Sequence, residues 1–210
     1  MSSVLNPTLL GVFIPTFFFV SVTPGMCMTL SMTLGMTIGV RRTFWMMAGE
    51  LLGVGLVAAA AVIGVATLML RYPMLFELFK YVGGAYLIYL GIQMWRSRGK
   101  LSIDLDCPRH DRATGIALAV QGFVTAVANP KGWAFFISLL PPFINDQQPM
   151  LPQLALLLGL ILLIEFGCLV LYASGGRTLS LFLQQRGNVR LLNRLAGTLM
   201  MGVGLWLALG

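Results

Sequence analysis

The chain has 210 residues, of which 58% are AVILMFWYC and only 10% are charged, against about 25% charged in soluble domains; its mean hydropathy is +0.87. An apolar excess of this size fits no single soluble core, so the chain reads as an integral membrane protein whose surroundings are the lipid bilayer. Seven Asp and Glu residues and one His leave little material for a metal cluster, a cofactor-assisted site or a Ser-His-Asp triad, and the net charge of +7 lies in short loops rather than on one basic face, which argues against nucleic acid.

A hydrocarbon core about 30 Å thick takes about 20 apolar residues of helix. Six stretches meet that length: residues 7–40, 43–70, 75–95, 113–144, 151–173 and 191–209. The expected architecture is one all-α transmembrane domain over residues 1–210, with halves 1–95 and 113–210 joined by a cytoplasmic loop 96–112. The first stretch has no basic residue before Arg41, so it reads as a span and not as a cleavable signal peptide. Eleven of the fourteen Lys and Arg residues fall after spans one, three and five. Cytoplasmic loops retain such residues, so both termini are expected outside the cytoplasm.

Spans one and four are each too long for a bilayer, and each holds a helix breaker, Thr23-Pro24-Gly25 in one and Asn129-Pro130 in the other. Proline removes a helical hydrogen bond and frees backbone groups. In a membrane, freed backbone survives only where protein buries it or it lines a polar cavity. Pro24 and Pro130 lie half the chain apart and about equally far into their spans, which enter from opposite sides. That is the pattern of an inverted 3+3 repeat with its binding site between two broken helices. The site residues expected on this ground are Thr23, Pro24, Gly25, Cys27, Asn129, Pro130 and Lys131.

With its Pro24-Gly25 pair, the stretch Thr23-Pro24-Gly25 resembles the Pro-Gly motif of the lysine exporter (LysE/RhtB) family of bacterial amino-acid efflux transporters. Three further segments agree in order and spacing: Gly49, Gly53 and Gly64 running into Val65-Ala66-Thr67-Leu68, the run from Tyr81 to Gly91, and Asn129-Pro130-Lys131 followed by Trp133, Phe135 and Phe136. The resemblance covers essentially the whole chain. It implies a six-helix inner-membrane exporter that expels amino acids or their derivatives in exchange for protons. The chain departs from the family pattern twice, with Met26-Cys27 where a second Pro and an Asn are usual, and Val54 where an acid is usual. Glu50, one helical turn earlier, lies on the same face as Val54.

Glu50, Lys131 and Glu165 are the ionisable residues placed deep within spans, and charge at that depth costs about 2.5–3.5 kcal/mol even on insertion scales. A carboxyl held in low dielectric favours its neutral form, the chemistry a proton-coupled cycle uses, so Glu50 and Glu165 are the expected proton-coupling residues. Glu50 lies eight residues past Arg42, about 12 Å at 1.5 Å per residue, so a pairing with Arg41 or Arg42 is its alternative. For Glu165 the alternative is a hydrogen bond between spans. Lys131 is suited to Glu165, to a substrate carboxylate or to the outer interface, and Asn129 can both donate and accept beside unwound backbone.

Two other readings compete. Met28, Met32 and Met36 fall on one helical face and offer soft sulfur to a copper-like ion, and a small-metabolite channel would use the same breaks. Cys27, Cys107 and Cys168 form no CxxC pair and no disulfide framework. Glycines four apart, Gly35 with Gly39 and Gly49 with Gly53, read as packing seams within the chain or between two copies in a homodimer.

Overall fold

The computed structural model describes residues 7–71, 73–97, 113–140, 143–144, 148–184 and 186–209. Among these residues there are eight α-helices and no strand: α1 (Pro7–Val22), α2 (Met26–Thr37), α3 (Val40–Arg71), α4 (Pro73–Arg96), α5 (Gly115–Val127), α6 (Pro130–Leu139), α7 (Met150–Gln184) and α8 (Arg186–Leu209). The fold is all-helical, as the composition requires. The loop expected at 96–112 lies outside the described residues from Arg98 to Arg112, Cys107 included, as do residues 1–6.

Both expected breaks are present. Pro24 separates α1 from α2, which are bent by 55° to one another. Asn129 and Pro130 separate α5 from α6, where Pro130 takes the first helical position, the one place in a helix where its missing N–H costs little. Pro15, by contrast, stays inside α1 without ending it. A third interruption falls at Gly39, whose φ of 82° is a left-handed conformation that a side chain disfavours. Nothing lies within 4 Å of the position a Cβ would take on Gly39, so this glycine is a turn between α2 and α3 and not the packing seam its spacing from Gly35 suggests. In α7 the helix kinks at Gly176 (φ 43°, ψ −127°), just past the expected end of span five.

By length and apolarity, Val40–Gly64 and Met150–Gly176 each suffice to cross a bilayer, and Leu10–Val22 with Met26–Thr37 makes a third, bent crossing. This is a multi-pass membrane protein. α3 packs along α5, α2 along α7, and α4 along α8, while α3 also touches α7, α4 touches α6 and α1 touches α8. The close pairs rest on small residues. A Cβ on Gly49 would overlap the backbone of Ala119, and one on Gly122 would overlap Met46; on α4 and α8, Gly84 faces Gly204 and Gly91 faces Gly197. Overpacking a tight contact costs about 1–3 kcal/mol, so Gly122→Ala is expected to lower the thermal unfolding temperature in detergent, whereas Gly159→Ala, with open space around it, is expected to leave it unchanged or raise it.

Two buried clusters flank the middle of the molecule. One is aromatic, with Phe13, Phe17, Phe135, Phe136 and Phe143, where the Phe13 and Phe143 rings meet edge to face at 5.0 Å. The other is built on Met28, Met32, Met46, Met47, Leu169 and Tyr172. The broken helices contribute to both, α1 and α6 to the first through Phe13, Phe17, Phe135 and Phe136, and α2 and α5 to the second through Met28, Met32 and Leu118.

Candidate functional site

The first break is repaired from other helices. Pro24 has no amide hydrogen, so the carbonyl four residues earlier, that of Val20, has lost its helical partner. Lys131 Nζ, on the first turn of α6, donates to Val20 O at 3.3 Å. The Tyr172 hydroxyl of α7 donates to Val22 O at 2.7 Å, and Thr23 Oγ1 donates to Phe19 O at 2.6 Å. At the second break the orphaned carbonyl is that of Ala126, which accepts from the Asn129 amide at 3.2 Å, and Trp133 Nε1 donates to Val127 O at 2.8 Å. Freed backbone is thus satisfied inside the protein, as a bilayer demands. The breaks also meet each other, through Lys131 and through Asn129 Nδ2, which lies 4.0 Å from Cys27 Sγ.

The two half-helices that start at the breaks differ at their N-termini. α6 is capped, since Asn129 Oδ1 accepts from the Lys131 amide at 3.1 Å. α2 begins after Gly25, whose backbone is extended (φ −141°, ψ −171°) and which has no side chain to cap it. The partial positive charge of the α2 N-terminus therefore meets no side-chain oxygen of its own cap residue, and Gly25, Met26, Cys27 and Met28 all border a cavity.

That cavity has a volume of about 90 Å³, enough for several waters at roughly 10–15 Å³ each. Its polar lining is Ser21, Thr23, Glu50, Asn129, Lys131 and Glu165, and its apolar wall includes Phe17, Val54, Val57, Phe135 and Phe136. Glu165 is oriented, because Ser21 Oγ donates to its Oε2 at 2.5 Å. Glu50 is 0% exposed, and both of its carboxylate oxygens lack a hydrogen-bond partner. Its electrostatic neighbours are Glu165 and Cys27, while Lys131 acts on Glu165 and Cys27.

Of the residues expected from the sequence, Thr23, Gly25, Cys27, Glu50, Asn129, Lys131 and Glu165 share this cavity. Pro24 and Pro130 line instead a second, larger cavity of about 450 Å³ with Gln93 of α4 and Asn193 of α8. Thr23 and Lys131 border both cavities, so Lys131 stands at the partition. Arg42, one of the two arginines weighed as a partner for Glu50, donates through Nη2 to Ala113 O at 2.8 Å, while Glu50 has Cys27 and Glu165 as its neighbours. Val54 lines the cavity beside Glu50. Met28 and Met32 pack in the second buried cluster, with Met36 against its edge, and Met28 also borders the cavity.

Two contributors escape sequence reasoning. Ser21 was hidden in an apolar run, and Tyr172 in span five. A signal for each existed: Ser21 is a polar residue just before a helix break, and Tyr172 follows Glu165 by seven residues, two turns along the same helical face.

Comparison with known proteins follows the same lines. The profile of the family described as LysE type translocator matches residues 18–210. A protein of Salmonella typhimurium named homoserine/homoserine lactone efflux protein is 32% identical over 188 residues, 90% of each chain. An uncharacterized membrane protein of Vibrio cholerae is 29% identical over 193 residues, 90% of each chain. The leucine efflux protein of Salmonella choleraesuis is 28% identical over 115 residues, 53% of this chain and 51% of the relative. No solved structure matches.

Proposed function

This chain belongs to the LysE type translocator family, and on that premise we propose that it exports amino acids or amino-acid derivatives across a bacterial inner membrane in exchange for protons. One observation carries the reading: two broken helices meet at a cavity that holds two carboxyls, one ammonium and an uncapped helix N-terminus. The first amides of α2, with Lys131, receive the substrate carboxylate. Glu50 and Glu165 carry the proton. The names of the efflux relatives point to the same class of cargo, homoserine or its lactone in one case and leucine in another.

In this reading α1 with α2, and α5 with α6, are single broken spans, and α3, α4, α7 and α8 complete six crossings in two inverted halves, 1–95 and 113–210. The packing supports the symmetry. With α1 exchanged for α5, α2 for α6, α3 for α7 and α4 for α8, α3 against α5 has its counterpart in α7 against α1 and α3 against α6 has its counterpart in α7 against α2, while the pairs α4 with α8 and α3 with α7 map onto themselves. Both termini lie outside the cytoplasm, as the Lys and Arg distribution favours.

The test is mass spectrometry of medium and cytoplasm from bacteria fed a dipeptide mixture that overloads internal amino-acid pools. Cells making the intact protein are expected to accumulate particular amino acids outside, and cells making a Pro24→Ala, Pro130→Ala variant at equal level are not. Matching media across all amino acids would overturn the reading.

A further inference from the structure

From the charge balance of the cavity we infer that Glu50 is the seat of the substrate's ammonium group, so that a substrate ammonium and a proton are alternatives at one carboxyl. The inference rests on the proposed exporter function and specifies the cargo: small zwitterions with a free, protonated α-amino group.

The argument starts from the count of buried charges. The cavity holds two carboxyls, Glu50 and Glu165, and one ammonium, Lys131. Lys131 acts on Glu165, which also accepts from Ser21 at 2.5 Å. Glu165 is therefore provided with both a counter-charge and a donor. Glu50 has no counter-charge: it is fully buried, its neighbours are the Cys27 thiol and the Glu165 carboxyl, and no donor meets either oxygen in good hydrogen-bond geometry. A buried carboxyl with no counter-charge demands neutralisation, because an uncompensated charge away from water is strongly unfavourable. Two agents are able to supply it: a proton, or a cationic group brought by the cargo. Their mutual exclusion at one site is what obliges the carrier to exchange one for the other.

Geometry gives the opposite pole. The uncapped start of α2 at Gly25 borders the same cavity as Glu50, so a zwitterion has a positive helix terminus for its carboxylate and a bare carboxyl for its ammonium. Val54, Val57 and Phe17 supply an apolar wall beside Glu50, and the volume of about 90 Å³ favours a small, uncharged side chain. A second cationic group on the cargo would meet Lys131. The titratable and charged groups that face Glu50 are Cys27 on α2, Glu165 on α7 and, beyond Glu165, Lys131 on α6.

The test is equilibrium binding of radiolabelled L-homoserine and L-leucine to the purified full-length protein in detergent, with unlabelled 2-hydroxy acids of matching side chain as competitors. These analogues replace the ammonium by a hydroxyl and keep the carboxylate. At least one labelled amino acid is expected to bind, with its 2-hydroxy counterpart competing at least tenfold more weakly. Binding is expected to release a proton into weakly buffered medium in the native protein and to release none in Glu50→Gln. Equal competition by the hydroxy acid, or undiminished proton release from Glu50→Gln, would overturn the inference and leave the exporter reading standing. Failure of the native protein to bind any amino acid would remove both. The competition arm uses the native chain, so it holds even if the Glu50 variant does not fold.

Discussion

Replacement of Glu50 by Gln is expected to stop amino-acid export while raising the thermal stability of the protein. The two effects have one origin. A carboxyl that is fully buried with no counter-charge beside it is a liability for folding. Gln has nearly the same shape and carries no charge, so it removes the demand for a counter-ion. Its amide still meets few partners, at about 1–3 kcal/mol for an unsatisfied buried group, but that is less than the cost of either burying the charge or holding the carboxyl in its protonated form at neutral pH. A net gain of about 1 kcal/mol corresponds to a rise of about 2–4 °C in unfolding temperature for a protein of 150–250 residues. Export measured by mass spectrometry of the medium should fall to the level of cells without the protein. Lower stability with intact export would make Glu50 a structural residue and sink its role in coupling.

The broken helices were legible because their cause is local. Pro24-Gly25 and Asn129-Pro130 alter the backbone wherever they stand, and an apolar run too long for a bilayer says that something inside it must bend. The helices themselves follow from apolar length in the same way. What satisfies the breaks was not legible, since Val22 is joined to Tyr172 and Val20 to Lys131 by contacts that depend on how α1, α6 and α7 pack. Helix rise placed Glu50 within reach of either Arg42 or the cavity; packing of α3 on α5 and α7 decided for the cavity. Gly39 shows the limit of spacing as evidence. Four residues from Gly35, it matches a seam on paper, yet its positive φ makes it a turn, whereas Gly35 does lie against the backbone of Ala173.

The second large effect is expected at Lys131. Its ammonium serves three neighbours at once: it caps the carbonyl that Pro24 orphans, it balances Glu165, and it stands between the two cavities. Lys131→Met keeps most of the length of the unbranched side chain and removes the charge. Val20 O is then left without its donor and Glu165 without its counter-charge, and breaking a buried pair by removing one partner costs about 3–5 kcal/mol. A fall in unfolding temperature of several degrees should follow, together with loss of export. Adding Glu165→Gln separates the contributions. With the carboxylate gone the electrostatic part of the penalty disappears, and only the unpartnered carbonyl remains, at about 1–3 kcal/mol. The double variant should therefore unfold at a higher temperature than Lys131→Met alone and still fail to export. Strictly additive effects of the two substitutions would mean that Lys131 and Glu165 do not act on each other, and the charge count that leaves Glu50 as the odd carboxyl would fail with them. A large positive coupling would instead explain why this chain places a lysine directly after a helix break: the same ammonium that allows the break to exist in lipid fixes which of the two carboxyls stays open to the cargo.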